Sequence, residues 1–409
     1  MRPRRISRKR RRTEPRAGPA QAPRTAPARA PHNARGADRA CLTPRNAETG
    51  QSARVSGPDR AFETSQSKVR EGSDLAETLI TSEVDFDAAG KQSGFLRVPH
   101  SVHRSAYGWL PVPVTCIANG SGPTLLLLGG THGDEYEGQV ALSNLARDLA
   151  PGQIRGRIIV LPTLNAPAAQ AGLRTSPVDD GNLNRLFPGD ASGSPSEMIA
   201  HYVEEVLMPL ADYAVDLHSG GSSLFYPPTL LRGQGHSAEE AAALRRMQDA
   251  FDLPYAWVFT SGGGRTSRAR TAMGAANRKG VVNVMAELGG SGVLTPDILR
   301  RTERGLSRLL HALDMLPDYT PDAAQGCREL VARGSVYAYE AGLFEPRKAI
   351  GESVRVGETV GLIHHPDTPL KAPGAITSPH AGIVLCQRAM AQVVRGDVVF
   401  QIAADLDPA

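Results

Sequence analysis

A chain of 409 residues with 41% hydrophobic and 22% charged content is long enough to bury sizeable cores, which excludes a fibrous or wholly disordered protein. No apolar run approaches the roughly 20 residues that cross a bilayer, and the four cysteines (Cys41, Cys116, Cys327, Cys386) stand far apart; this argues against a disulfide framework or a thiolate zinc cluster and fits a soluble protein of a reducing, cytoplasmic compartment. The net charge of +4 averages two unlike regions, since residues 1–40 hold 13 Lys+Arg against Glu14 and Asp38, while the rest holds 33 bases against 40 acids.

The first 75 residues read as a disordered basic arm, rich in Arg, Pro and Ala and almost without aliphatic side chains to bury. The arm lacks the apolar segment of a secretory signal, although transit peptides share its Arg-rich, acid-poor composition. A dispensable extension, loose contact with polyanions and targeting all remain compatible with it; specific nucleic-acid recognition is not indicated. Folding is expected from about residue 76. Residues 123–130 (PTLLLLGG), 156–162 (GRIIVLP), 211–217 (ADYAVDL) and 280–287 (GVVNVMAE) are short apolar runs closed by Gly or Pro, which predicts strands buried on both faces. Helices are predicted between them at 137–150, at 196–208 with Ser196 as N-cap, at 237–250 behind Ser237, and at 296–314 opening with Pro296. Strands alternating with helices imply an α/β domain over residues 76–320, built on a mostly parallel sheet flanked by helices. In such sheets ligands bind beyond the carboxyl ends of the strands.

The helical texture stops after about Pro321, and regular turn signals from Gly334 to Gly396-Asp397 predict a small C-terminal all-β domain over 327–405. Ser353 to Ile363 and SPHAGIV (378–384) look similar to the lipoyl/biotinyl hammerhead. A carrier domain needs an exposed lysine at a hairpin tip, and Ala389-Met390-Ala391 offers none. A structural role, or a wall beside the active site, is the expectation.

Chemistry concentrates where the predicted strands end. After the first comes Gly129-Gly130-Thr131-His132-Gly133-Asp134-Glu135, which sets His132 and Glu135 three apart on a strand-to-helix turn, within reach of one metal ion. Another strand ends in Asp216-Leu217-His218-Ser219-Gly220-Gly221 and brings His218 to the same edge. Two imidazoles and one carboxylate are the ligand set of a catalytic zinc with an open position for water. Glu287 closes a further apolar strand, and a carboxylate emerging from such a run is costly unless it has a partner or a task; it is the candidate proton acceptor. Arg174, Asn184 and Arg185 lie between the first and third runs, with the planar guanidinium forks that bind carboxylates or face a developing oxyanion. Asp216, two residues before His218, is placed to orient a ligand imidazole. No phosphate-cradling GxxxxGK[ST] and no GxSxG elbow is present.

THGDE with His132 and Glu135, NLNR with Asn184 and Arg185, DLHSGG with His218 and AELGG with Glu287, in that order, resemble the succinylglutamate desuccinylase/aspartoacylase family of the zinc carboxypeptidase superfamily over about residues 80–320. The resemblance implies a zinc-carboxypeptidase-like fold and one Zn2+ per subunit held by His132, Glu135 and His218, with Glu287 as general base and later proton donor. It also implies that Asn184 and Arg185 grip a substrate carboxylate and that Arg174 polarises the scissile carbonyl. The implied reaction is hydrolysis of the amide bond of a small N-acyl amino acid. Within the family, DFDAAGKQSGFLRVPHS (85–101), GDEYEGQVAL, RTSPVDDGNLNRLFPG and DLHSGG look closest to members that deacetylate N-alpha-acetyl-L-2,4-diaminobutyrate in ectoine breakdown. Glu137, Asp179 and Asp180 are candidates to face that substrate's ammonium, and Arg265 or Arg268 to tune substrate choice. Succinylglutamate or acetylaspartate hydrolysis, or a zinc-binding module without catalysis, stand as alternatives, and self-association is left open by the sequence.

Overall fold

The computed structural model describes residues 78–259 and 268–406. The basic arm, the Gly262-Gly263-Gly264 run and Arg265 lie outside the described residues. Strands β1 (Thr81–Ser82), β2 (Gly90–Pro99) and β3 (Trp109–Asn119) pair antiparallel. They lead into β4 (Thr124–Gly129), β5 (Gly156–Leu161), β6 (Tyr213–His218), β7 (Leu224–Arg232), β8 (Tyr255–Val258) and β9 (Val282–Gly290). The last part of the chain adds β10 (Arg328–Tyr337), β11 (Gly342–Pro346), β12 (Ser353–Val354), β13 (Thr359–His364), β14 (Gly374–Thr377), β15 (Gly382–Arg388), β16 (Gln392–Val393) and β17 (Val398–Asp405). Helices are α1 (Tyr136–Asp148), α2 (Ala166–Ala171), α3 (Pro195–Tyr202), α4 (Ala238–Phe251), α5 (Ala272–Arg278) and α6 (Pro296–Ala312).

The four apolar runs form adjacent strands in the order β5-β4-β6-β9, all parallel. Their alternation shows why they are apolar throughout. In β4, Leu126 and Leu128 pack into one core with Ile159 and Leu161 of β5, while Leu125 and Leu127 pack into the opposite core with Ile158 and Val160. Each fully buried leucine contributes roughly 2 kcal/mol of transfer free energy, so a polar residue at any of these positions would remove a large share of net stability. Helices α3 and α5 cover the first face through Met198, Ile199, Ala272 and Ala275, and α1, α4 and α6 cover the second through Leu142, Met247 and Leu309. In α6 the buried set Ile298, Thr302, Gly305, Leu306, Leu309 recurs at helical spacing, and Thr295 caps its first turn.

Taken whole, the sheet is mixed rather than mostly parallel. Its order is β1-β2-β3-β5-β4-β6-β9-β7-β8-β10-β17-β15-β12, and the pairs β3–β5, β7–β9 and β10–β17 run antiparallel. Short connections explain the first two pairs, because a chain that turns back within a few residues runs opposite to the strand it has left: β7 opposes β6 and so its neighbour β9, and β3 opposes β4 and so its neighbour β5. Only residues 219–223 separate β6 from β7, and only 120–123 separate β3 from β4. The C-terminal strands β10, β17, β15 and β12 continue this same sheet, with β10 parallel to β8. A second sheet, β14-β13-β11-β16, packs Phe344, Val360 and Ile363 in one core with Phe400 of β17. The helix predicted at 196–208 starts at Pro195 behind Ser194, whose backbone N–H bonds Glu197; Ser196 is not the cap but bonds Asp179. Helix α3 then opens into a wider turn over 203–207.

Candidate active site

The carboxyl ends of β4, β6 and β9 lie side by side, and each delivers one part of the site. Beyond Gly129 the chain turns through Gly130 (φ +63°) and passes close against α2. Gly133 makes this approach possible, since a Cβ there would sit 2.0 Å from the backbone carbon of Ala168. The result is that His132 and Glu135 are 1% and 2% exposed, and His218, at the end of β6, is 3% exposed. One ligating atom from each of the three residues lies within 4.8 Å of the others.

The surrounding hydrogen bonds fix these side chains. The Nδ1 of His132 lies 3.1 Å from the carbonyl oxygen of Arg174; a carbonyl only accepts, so Nδ1 carries the proton and Nε2 keeps its lone pair. Burial first, and then the charges of His218 and Arg174, push the pKa of His132 down to about 2, so this imidazole is neutral. His218 is the opposite case. Burial disfavours its charge, yet the carboxylates of Asp216 and Glu135 outweigh burial and hold it protonated well above the usual range. Its Nδ1 is 2.8 Å from Glu135 Oε2 and its Nε2 is 2.7 Å from Asp216 Oδ2. Asp216 in turn accepts from Thr131 Oγ1 at 3.0 Å, and Glu135 Oε2 accepts from the Ser219 backbone N–H at 3.2 Å.

This arrangement suits a divalent cation. Positive charge already lies between His218 and Glu135 in the form of a proton, and cation binding displaces ligand protons. On the paired strand, Glu287 stands in register with His218. It is half-buried as a residue, but its Oε2 is shut off from solvent with no hydrogen-bond partner. Burial, and next the negative charge of Glu135, push its carboxyl up to about 8 against the opposing charges of His218 and Arg174. A carboxyl with an orphaned oxygen beside two imidazoles and a carboxylate is the setting in which a cation and its water would find both ligands and a base.

Cationic side chains stand at the exposed margin. Arg174 donates from Nη1 to Glu135 Oε1 at 3.2 Å with its side chain 45% exposed. Arg185 donates to the Asn184 carbonyl at 2.6 Å, and among the described residues it has no acidic partner. Although Arg185 is exposed as a whole, partial burial of its guanidinium and the neighbouring charge of Arg174 lower its pKa. Two guanidinium groups that repel each other form a natural seat for a carboxylate. Asn184 is buried, with Oδ1 accepting from Ala272 N at 3.0 Å and Nδ2 3.4 Å from His218 Nε2.

Thus the structure gathers His132, Glu135, Asp216, His218, Glu287, Arg174, Asn184 and Arg185 at one sheet edge. Of the three acids considered for an ammonium partner, two accept hydrogen bonds from the protein and the third is exposed. Glu137 is 1% exposed and accepts from Gly290 N, with burial raising its pKa to about 7. Asp179 accepts from Ser196 and Gly181, and Asp180 is exposed. Arg268 lies over the ring of Phe259, 4.7 Å from its centroid. Sequence reasoning missed the polar groups that hydrogen-bond around the cluster: Thr131 to Asp216, the Ser219 backbone N–H to Glu135, and the pair Asp134–Ser222 close by. Their signal was the hydroxyls and acid interleaved within THGDE and DLHSGGSS. It also missed Tyr226 of β7, whose hydroxyl donates to Gln401 Oε1 on β17 at 2.9 Å, a partner 175 residues away with no local trace.

Residues 121–313 match the family model described as succinylglutamate desuccinylase/aspartoacylase catalytic domain. The chain is 38% identical over 330 residues to an N-alpha-acetyl-L-2,4-diaminobutyric acid deacetylase from Halomonas elongata, covering 79% of this chain and 94% of that one. Among solved structures, it is similar to a succinylglutamate desuccinylase/aspartoacylase from Rhodobacter sphaeroides (TM-score 0.74, 38% identity, 80% of this chain and 99% of that one). It is likewise similar to the product-bound ectoine utilization protein EutE (DoeB) from Ruegeria pomeroyi (TM-score 0.76, 34% identity, 81% of this chain and all of that one). With the His132–Glu135–His218 cluster, the half-buried Glu287 beside it and these matches along most of its described length, the chain belongs to the succinylglutamate desuccinylase/aspartoacylase family and is a hydrolase of amide bonds.

Proposed function

We propose that this protein is a zinc-dependent deacylase that removes the acetyl group from N-alpha-acetyl-L-2,4-diaminobutyrate, the step that its Halomonas relative's name describes. The observation that carries the reading is the convergence of His132, Glu135 and His218 within 4.8 Å at the strand edge that also bears Glu287. His132 Nε2, a Glu135 oxygen and one His218 nitrogen would hold the ion. Zinc bound there would supply a Lewis acid for water and for the acyl carbonyl. The other steps belong to the protein. Glu287, held near neutral pH by burial, takes a proton from the attacking water and returns it to the departing amine nitrogen. Arg174, at the mouth beside Glu135, faces the acyl oxygen as charge builds on it. Arg185 binds the substrate carboxylate, and Asn184, whose Oδ1 is already taken by Ala272 N, has only its amide hydrogens to offer.

The test is release of the free acid (acetate from N-acetyl substrates, succinate from succinylglutamate) from a panel of N-acyl amino acids, with and without chelator, alongside zinc content of the purified protein. Zinc-dependent release from acetyl-diaminobutyrate in preference to acetylaspartate and succinylglutamate supports the reading. Preference for succinylglutamate or acetylaspartate overturns the substrate, and metal-independent turnover overturns the mechanism.

A further inference from the structure

We propose that Asp134 is a positioning residue for the metal centre: it clamps the loop that carries Glu135 to the loop that follows His218, and so sets the separation of those two ligands. The proposal rests on the metal-centre reading above. The ladder between β4 and β6 ends at the pair Gly129–Leu217, one residue short of His218. Beyond it, no backbone hydrogen bond among the described residues joins segment 130–135 to segment 219–223. Side-chain bonds hold them instead. Asp134 Oδ2 accepts from both the backbone N–H and the hydroxyl of Ser222, each at 2.8 Å. Gly221 takes a left-handed conformation (φ +56°), and a Cβ there would lie 2.7 Å from Asp134 Oδ2, so only glycine allows so close an approach.

The second oxygen, Asp134 Oδ1, is buried without a partner in a residue 5% exposed. A buried carboxylate left half-satisfied is unfavourable for folding by itself. Its two short bonds to Ser222 therefore act on geometry: they hold Glu135 and His218 in the 2.8 Å contact seen between Oε2 and Nδ1. The loop after His218 is tied on its other side by Gly220 N to Gly289 O and by Gly292 N to Gly221 O, which link it to the end of the strand bearing Glu287. Asp134 completes this lacing on the Glu135 side.

Zinc affinity, measured by competition with a chromophoric chelator, tests the clamp. Asp134→Ala loses both bonds and is expected to bind zinc about 10–100-fold more weakly, the range found when groups that orient metal ligands are removed. Asp134→Asn keeps an acceptor for Ser222 and is expected to stay within about threefold of the parent. Ser222→Ala, which keeps the backbone donor, falls between them and serves as a second reading should Asp134→Ala not fold. Melting of the chelated variants close to the parent shows that the loss is in the metal centre and not in the fold. Zinc binding by Asp134→Ala equal to the parent overturns the clamp, and so does an equal loss in Asp134→Asn, which would assign the effect to charge. A parent that binds no zinc refutes the metal-centre reading instead.

Discussion

Replacing Glu287 by glutamine should stabilise the metal-free protein, and by an amount that grows with pH. Burial, reinforced by Glu135, raises the folded-state pKa of Glu287 to about 8 from an ordinary 4.5. An acid whose folded pKa is raised holds its proton in the native state after the unfolded chain has released it, so stability falls as pH rises from about 4.5 and levels off above 8. The slope is about 1.4 kcal/mol per pH unit, which over this window amounts to at most about 5 kcal/mol. Glutamine does not titrate. In chelator, Glu287→Gln should therefore melt with the parent near pH 4.5 and progressively above it toward pH 8. At about 1.5 °C per kcal/mol for a folded region of roughly 300 residues, the gap reaches around 7 °C. Saturating zinc should narrow the gap, because a cation beside the carboxylate favours its ionised form. Scanning calorimetry of both proteins from pH 4.5 to 8.5, with and without zinc, measures it. A gap that does not change with pH would show that Glu287 ionises freely in the folded protein and would remove the ground for its role as base.

Asp216→Asn should weaken zinc binding about 10–100-fold with little change in melting of the chelated protein, because it loosens the 2.7 Å bond that aims His218; chelator competition reads this directly. Arg185→Lys should raise KM on the order of tenfold with kcat within a factor of a few, as a point charge replaces a bidentate fork; steady-state kinetics separate the two constants. Gly133→Ala should destabilise the protein by about 3 kcal/mol or more, since its Cβ would overlap the Ala168 backbone at 2.0 Å; urea unfolding should show a lower midpoint or insoluble protein.

Residues that act through local chain order were legible before the structure. The runs at β4, β5, β6 and β9 are apolar at every position because both of their faces are buried, and that requirement is written in consecutive residues. The candidate site residues were legible for the same reason: His132 and Glu135 share one turn, and His218 and Glu287 sit at the ends of recognisable apolar strands. Helix α2 was not legible. It is six residues long, APAAQA, too short to show a helical period, yet it places the Arg174 carbonyl on His132 Nδ1.

What tertiary structure alone decided is the direction of the strands and the shell around the candidate metal site. Antiparallel entry of β7 follows from a five-residue connection whose meaning emerges only once β6 and β9 are neighbours. The bonds from Ser222 to Asp134, Thr131 to Asp216 and Tyr226 to Gln401 span 85 to 175 residues. Such contacts depend on how the strands are ordered across the sheet, an arrangement set by many distant packing choices together, whereas hydrophobic period and motif spacing are properties of neighbours along the chain. The sequence by itself therefore determined which side chains could do chemistry and at which edge, and the folded arrangement determined how each is held, charged and shielded.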